Sequence, residues 1–161
     1  MTEDDEIAES VASHGWHAIA VGASEASPDF TYTIGLCQTS AHPDVVLFGL
    51  PQDVAYPILA NLVAKVRAGT SFEVPGSYSG VIRDREVAVR PVHPTQHPIY
   101  LGYAMGYYRH IDNSELMRVV QLFWPDPRGR FPYELSCDPL VSHEQPRLEF
   151  PAVRGRAPRR E

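Results

Sequence analysis

The stretch FWPDPRGR, residues 123–130, places Asp126 in a Trp-Pro-Asp triplet that in one enzyme class carries the general acid of phosphoester cleavage. That mechanism also needs a thiolate nucleophile in a Cys-x5-Arg loop, where main-chain amides and the arginine grip the phosphate. Cys37 is followed six positions later by Pro43, and Cys137 by His143, so neither cysteine brings the arginine. The phosphatase reading fails on that component. Two readings stay open for Asp126. Asp-Pro-Arg-Gly is good turn chemistry, and a loop where an apolar strand runs out is also where sites are commonly assembled. Glu134, eight residues on, can return to the same end of a sheet. Two close carboxylates can share a proton or hold a divalent cation.

His42 precedes Pro43 at the mouth of a second apolar strand, where a neutral imidazole can act as base or ligand, or simply cap a loop. Gln121 falls within an otherwise apolar run; its amide must meet a backbone group, a side chain or a ligand, because left unpaired it costs about 1–3 kcal/mol. Tyr32 brings a hydroxyl into a similar setting. Tyr103, Tyr107 and Tyr108 run into Arg109 and His110, a stretch that suits a planar or anionic ligand and equally suits packing on a sheet. The spacing His93-x3-His97 sets two metal ligands on one helical face, but Pro94 and Pro98 argue against a helix interior there. No Gly-rich phosphate loop, dinucleotide fingerprint or Gly-x-Ser-x-Gly elbow occurs, so the cofactor is unknown. The candidate set is Asp126, Glu134 and His42 for acid/base work, with Tyr32, Gln121, Trp124, Tyr107 and Arg109 lining the pocket. No metal site is assigned.

These residues must be positioned by a small number of elements. Residues 3–13 place Ile7, Ala8, Val11 and Ala12 at helical spacing, with acids in the first turn and Gly15 to stop the helix. Residues 16–21 and 30–36 read as two strands of a hairpin, the second with Phe30, Tyr32, Ile34 and Leu36 on one face. The run from Val45 to Leu50 is apolar throughout, which suits a central strand covered on both faces. A helix follows, with Pro51 near its first turn, an apolar stripe through Ile58, Leu59, Leu62, Val63 and Val66, and Gly69 at its end; Pro57 should bend it or delay its start. Residues 71–92 return to strands around a polar RDRE turn, residues 100–108 pack as a helix or aromatic segment, and residues 115–124 form the last strand. The expected fold is α+β in a single domain, with a mainly antiparallel sheet, one substantial helix and several short helical segments. A mixed sheet stays open, because a helix separates the strand at Val45 from the next.

At 161 residues, 43% hydrophobic and 21% charged, the chain is of a size to bury one core without staples. No apolar run approaches the roughly 20 residues of a membrane helix. The acidic start MTEDDEIAES is unlike a secretory signal, so a cytoplasmic location is expected, with both cysteines reduced. The net charge of −6 disfavours nucleic acid as a partner. Five arginines fall between Arg147 and Arg160 in a Pro-rich stretch. The expected organisation is an acidic N-terminal helix at 1–13, one domain at 14–148 and an Arg/Pro-rich flexible tail at 149–161.

Three segments taken together carry a resemblance: GWHAIAV with DFTYTIGL, then HPDVVLFGLP, then QLFWPDPRGRFPYE with the later QPRL. In that order they resemble the bacterial family catalogued as domain of unknown function 4262, over roughly residues 14–148. The resemblance gives the Trp-Pro-Asp triplet a home unrelated to phosphatases and implies no particular activity, substrate or cofactor. Tyr133 stands where the family pattern suggests tryptophan. The functional expectation is a small-ligand pocket with acid/base, hydrolase-like chemistry; the alternative is a noncatalytic protein-interaction or inhibitor-type module.

Overall fold

The structure is a computed structural model that describes residues 2–153. Its centre is one six-stranded sheet: β1 (His17–Val21), β2 (Phe30–Ile34), β3 (Asp44–Phe48), β4 (Gly76–Ile82), β5 (Arg85–Pro91) and β6 (Val119–Phe123). They lie in the order β1-β2-β3-β6-β5-β4. Every pair is antiparallel except β3 with β6. That exception follows from connectivity. After β3 the chain crosses in a long helix to the far edge, then returns through the β4–β5 hairpin, so β6 reaches β3 running the same way. The fold is therefore α+β with a mostly antiparallel sheet.

Both faces of the sheet are covered, as the apolar run at Val45 requires. Helix α3 (Gln52–Arg67) lays Leu59, Leu62, Val63 and Val66 on Val45 and Leu47 of β3, Val87 and Val89 of β5, and Val120 and Leu122 of β6. On the opposite face α1 (Glu3–His14) and α5 (Gly102–His110) bury Ile7, Val11, Ala104, Tyr107 and Tyr108 against Phe30, Tyr32, Ile34, Val46 and Phe48. Each fully buried Val, Leu or Phe contributes about 1.5–3 kcal/mol. Helix α1 is closed at both ends by local chemistry: a capping box between Thr2 and Asp5, and Gly15 in the left-handed region at φ 86°. Pro51 caps α3, which starts at Gln52, so Pro57 sits inside the helix without delaying it.

Four short helical pieces break up the pattern read in the sequence. The expected strand 30–36 stops at Ile34. Gly35, at φ 112°, turns the chain so closely over α1 that an added Cβ would lie 2.9 Å from Val11 Cγ2. Helix α2 (Leu36–Thr39) follows, and Leu36 joins the α3 side of the core rather than the face of Phe30. Residues Ser114–Leu116 form a 3₁₀ turn, so the last strand begins at Val119. Around the two prolines the chain breaks into a 3₁₀ turn, Pro94–Gln96, and a single-turn helix α4 (His97–Tyr100). A last short helix, α6 (Pro139–His143), precedes a C-terminal strap that crosses β6 and β5.

The strap carries order past Leu148. Leu148 is buried, its carbonyl accepts from His93 N, and Glu149 pairs with Arg90 and Arg147. Gln96 donates to Phe150 O and Ala152 N donates to Thr95 Oγ1. Of the stretch expected as a tail, residues 149–153 are thus described; residues 154–161 lie outside the described part.

Candidate functional site

The Trp-Pro-Asp loop leaves β6 at its carboxyl end and is locked by main-chain bonds. Asp126 is fully buried. Its Oδ1 accepts from Arg128 N at 2.9 Å and Arg130 N at 2.8 Å, and its Oδ2 accepts from Arg130 Nε and Asp138 N, both at 2.9 Å. Burial acts to raise the carboxyl's pKa, but these N–H groups and the Arg130 guanidinium outweigh it and hold the carboxyl well below the usual carboxylate range. A carboxylate so held has no proton to donate at neutral pH. Here the turn reading of Asp-Pro-Arg-Gly describes the geometry. Glu134 lies in the same loop region, and its Oε2 accepts from Phe131 N at 2.6 Å. Trp124 donates Nε1–H to Phe48 O at 2.7 Å, while Gln145 grips its main chain by accepting from Trp124 N and donating to Trp124 O.

His42 is at the other end of the sheet. Asp44 opens β3 opposite Val119, and β6 runs on to Phe123 before the Asp126 loop begins, a strand length of about 13 Å at roughly 3.3 Å per residue. His42 Nε2 accepts from Phe72 N at 2.9 Å, which leaves the proton on Nδ1 to bond Pro43 O at 2.8 Å. Gln121 lies between the two ends, on the strap side: it donates to Pro146 O at 2.6 Å and accepts from Leu148 N at 3.0 Å. Its amide therefore imitates a neighbouring strand. Tyr32 is buried in β2, stacked near Phe30, and Tyr107 donates its hydroxyl to Gln38. The structure brings Trp124, Asp126 and Glu134 into one loop region and does not bring His42, Tyr32, Gln121 or Tyr107 to it. Each carboxylate and His42 is occupied by main-chain partners.

A polar cluster absent from the sequence-based candidates closes the amino end of β3. Asp44, fully buried, receives Thr33 Oγ1 at 2.7 Å, Leu36 N at 3.0 Å, the Cys37 thiol and the Tyr108 hydroxyl. Burial pushes its carboxyl up, while these donors oppose the shift. Burial and the adjacent Asp44 push the Tyr108 phenol far up, so it stays a donor. Burial likewise raises the Cys37 thiol. The signal for this cluster was present in the sequence as one acid directly ahead of an apolar run, HPDVVLFGL.

One polar atom breaks the pattern. His97 Nε2, at the start of α4, is buried without a hydrogen-bond partner, and no other buried side-chain N or O among the described residues is left so. His97 lines a cavity of about 210 Å³ with Pro94, Met105, Tyr108, Arg109, Ser114 and Met117. Burial, with a smaller effect from nearby His93, lowers the pKa of His97, so its ring is neutral at neutral pH. His93 is used locally: its ring accepts from Thr95 N. The guanidinium of Arg109, a sequence-based candidate, makes no ion pair or hydrogen bond with a described residue, unlike those of Arg90, Arg118, Arg130 and Arg147. The prolines flanking His97 argued only against a metal pair; the short helix they leave still turns His97 toward α5's side of the fold.

The family described as Domain of unknown function (DUF4262) matches residues 10–138. The chain belongs to this family. The DUF4262 match spans all six strands and the Trp-Pro-Asp loop, and ends at Asp138, the residue whose N–H reaches Asp126. No curated protein and no solved structure matches the chain. Among the described residues of this DUF4262 domain, no helix is long and apolar enough to cross a membrane.

Proposed function

We propose that this DUF4262 domain binds a small polar ligand in the cavity between α4 and α5, without acid/base catalysis by Asp126, Glu134 or His42. The observation that carries the reading is His97 Nε2. Buried polar groups are paired almost without exception, and a small shift of the cavity wall that uncovers this orphan would let a ligand atom supply the missing bond. Arg109, which lines the same cavity and whose guanidinium is unpaired among the described residues, supplies charge. A cytoplasmic setting fits the two unpaired, buried cysteines. Nucleic acid is not the partner proposed, given the net charge of −6.

Native mass spectrometry of the freshly purified full chain, with a thermal-shift screen of small metabolites, tests the reading. A retained or added ligand is expected on the wild type and on Glu134→Ala, and is expected to be lost in His97→Leu and Arg109→Gln. A wild type that carries and takes up nothing overturns it, as does a ligand unaffected by both cavity variants. A ligand lost only in Glu134→Ala restores the carboxylate loop as the site.

A second reading, a protein-interaction module, draws on Leu135 and Leu140. Leu135 precedes α6 and Leu140 lies within it, and both side chains stand in solvent, at 108% and 80% exposure, where nothing in the described fold needs them. Under that reading Leu135→Ser with Leu140→Ser abolishes a stoichiometric partner in native pull-downs and leaves the cavity ligand in place.

A further inference from the structure

Resting on the ligand-binding reading, we infer that the occupant of the His97 cavity is a small monocarboxylate with an apolar body. The walls decide its chemistry. Of the seven lining residues, one is cationic, Arg109, and none is acidic. A cation would meet an unpaired guanidinium with no carboxylate to offset it, and a hard metal ion would lack oxygen ligands. A phosphate dianion would find a single fixed positive charge and a neutral imidazole, with more oxygens than donors to receive them. A carboxylate matches one guanidinium in both charge and fork geometry.

The rest of the cavity suits the ligand's body. Met105, Met117 and Pro94 present thioether and ring surfaces, and methionine adapts to irregular apolar shapes. The Tyr108 hydroxyl is turned away to Asp44, so Tyr108 has only its ring to offer the cavity. A small shift of the wall that uncovers His97 Nε2 lets it fix one further polar atom, and the exposed residue Ser114 lies at the same wall. At about 30 Å³ per water molecule the space equals roughly seven waters, enough for a ligand on the order of ten non-hydrogen atoms. Benzoate and hexanoate fall in that range. Pairing of the carboxylate by Arg109 at a partly open rim, with the apolar body inside, keeps the charge where water can still reach it.

The test compares benzoate and hexanoate with their neutral amides, benzamide and hexanamide, by ligand-observed NMR and thermal shift on the full chain. The acids are expected to bind saturably with a Kd of about 1 mM or tighter, as ligands of this size allow. The amides are expected to bind at least about tenfold more weakly, consistent with loss of a charge-assisted pair. Arg109→Gln should erase the difference between acid and amide, and Arg109→Lys should restore part of it. His97→Leu should weaken acids and amides together. Acids that fail to saturate, or that bind as well to Arg109→Gln as to the wild type, overturn the proposal. Amides that bind as tightly as acids and are lost in His97→Leu overturn the ligand class while leaving the cavity as the site. Failure of all four probes, together with a wild type free of any retained ligand, removes both.

Discussion

The loop after β6 and the cavity beside α4 exchange the roles that their residue types suggest. The loop holds the more suggestive chemistry: a Trp-Pro-Asp triplet, a second carboxylate and an arginine. Yet four N–H groups converge on Asp126, and Glu134 is spent on Phe131 N. The cavity is walled by one member of a histidine pair set aside for its prolines, and there one nitrogen has no partner among the described residues. A buried polar group with all its bonds made holds the fold together, whereas one with a bond missing is available for chemistry or binding. Residue type says which groups can bond. Only the surroundings say whether they already have.

The contrast can be broken from the satisfied side first. Asp44→Ala leaves Leu36 N–H and the Tyr108 hydroxyl buried without their acceptor; at about 1–3 kcal/mol for each orphan, it should cost about 3 kcal/mol or more. Urea denaturation should show that loss, and a change of less than about 1 kcal/mol would mean the cluster does not hold the amino end of β3. Gln121→Ala is next. It removes the clamp on Pro146 and Leu148 and should cost about 1–3 kcal/mol, with faster proteolytic nicking in the strap as the second readout.

His97 should behave the opposite way. Exchanging an unpaired nitrogen for an isosteric apolar group leaves nothing orphaned, so His97→Leu should hold stability within about 1 kcal/mol at pH 8. Its pH dependence has a definite sign. The ring's folded pKa lies below its usual 6.5, so the unfolded chain takes up that proton first as pH falls. The wild type should therefore lose stability from about pH 6.5 downward, and His97→Leu should lack that portion of the loss. Asp126 acts lower. Its folded pKa lies below the ordinary 3.8, so its contribution is complete above that value and fades only in stronger acid. Parallel urea midpoints at pH 8, 6 and 5 that fall equally in wild type and variant would show that His97 is not buried as described.

Much of the architecture was legible before any coordinates. The acidic amphipathic helix with its glycine stop, the hairpin, the doubly covered strand at Val45 and the long helix after Pro51 all follow from local periodicity and end signals, which act over a few residues. The parallel pairing of β3 with β6 was left open, because register between strands some seventy residues apart depends on how the intervening segments fold. Gln121 shows the limit most clearly. Its need for a partner could be read from its place in an apolar strand; that the partner is the main chain of Pro146 and Leu148 could not.

The sequence by itself determined which segments bury which faces, since a side chain's polarity and its spacing along the chain are enough to choose helix or strand. The tertiary structure alone decided which polar groups are spent and which are free, because a hydrogen bond exists only when two groups distant in the chain arrive within about 3 Å at the right angle. Asp126 and His97 are each a single letter in the sequence. Among the described residues, four donors around one and no partner for the nitrogen of the other make the first a fastening and the second an opening.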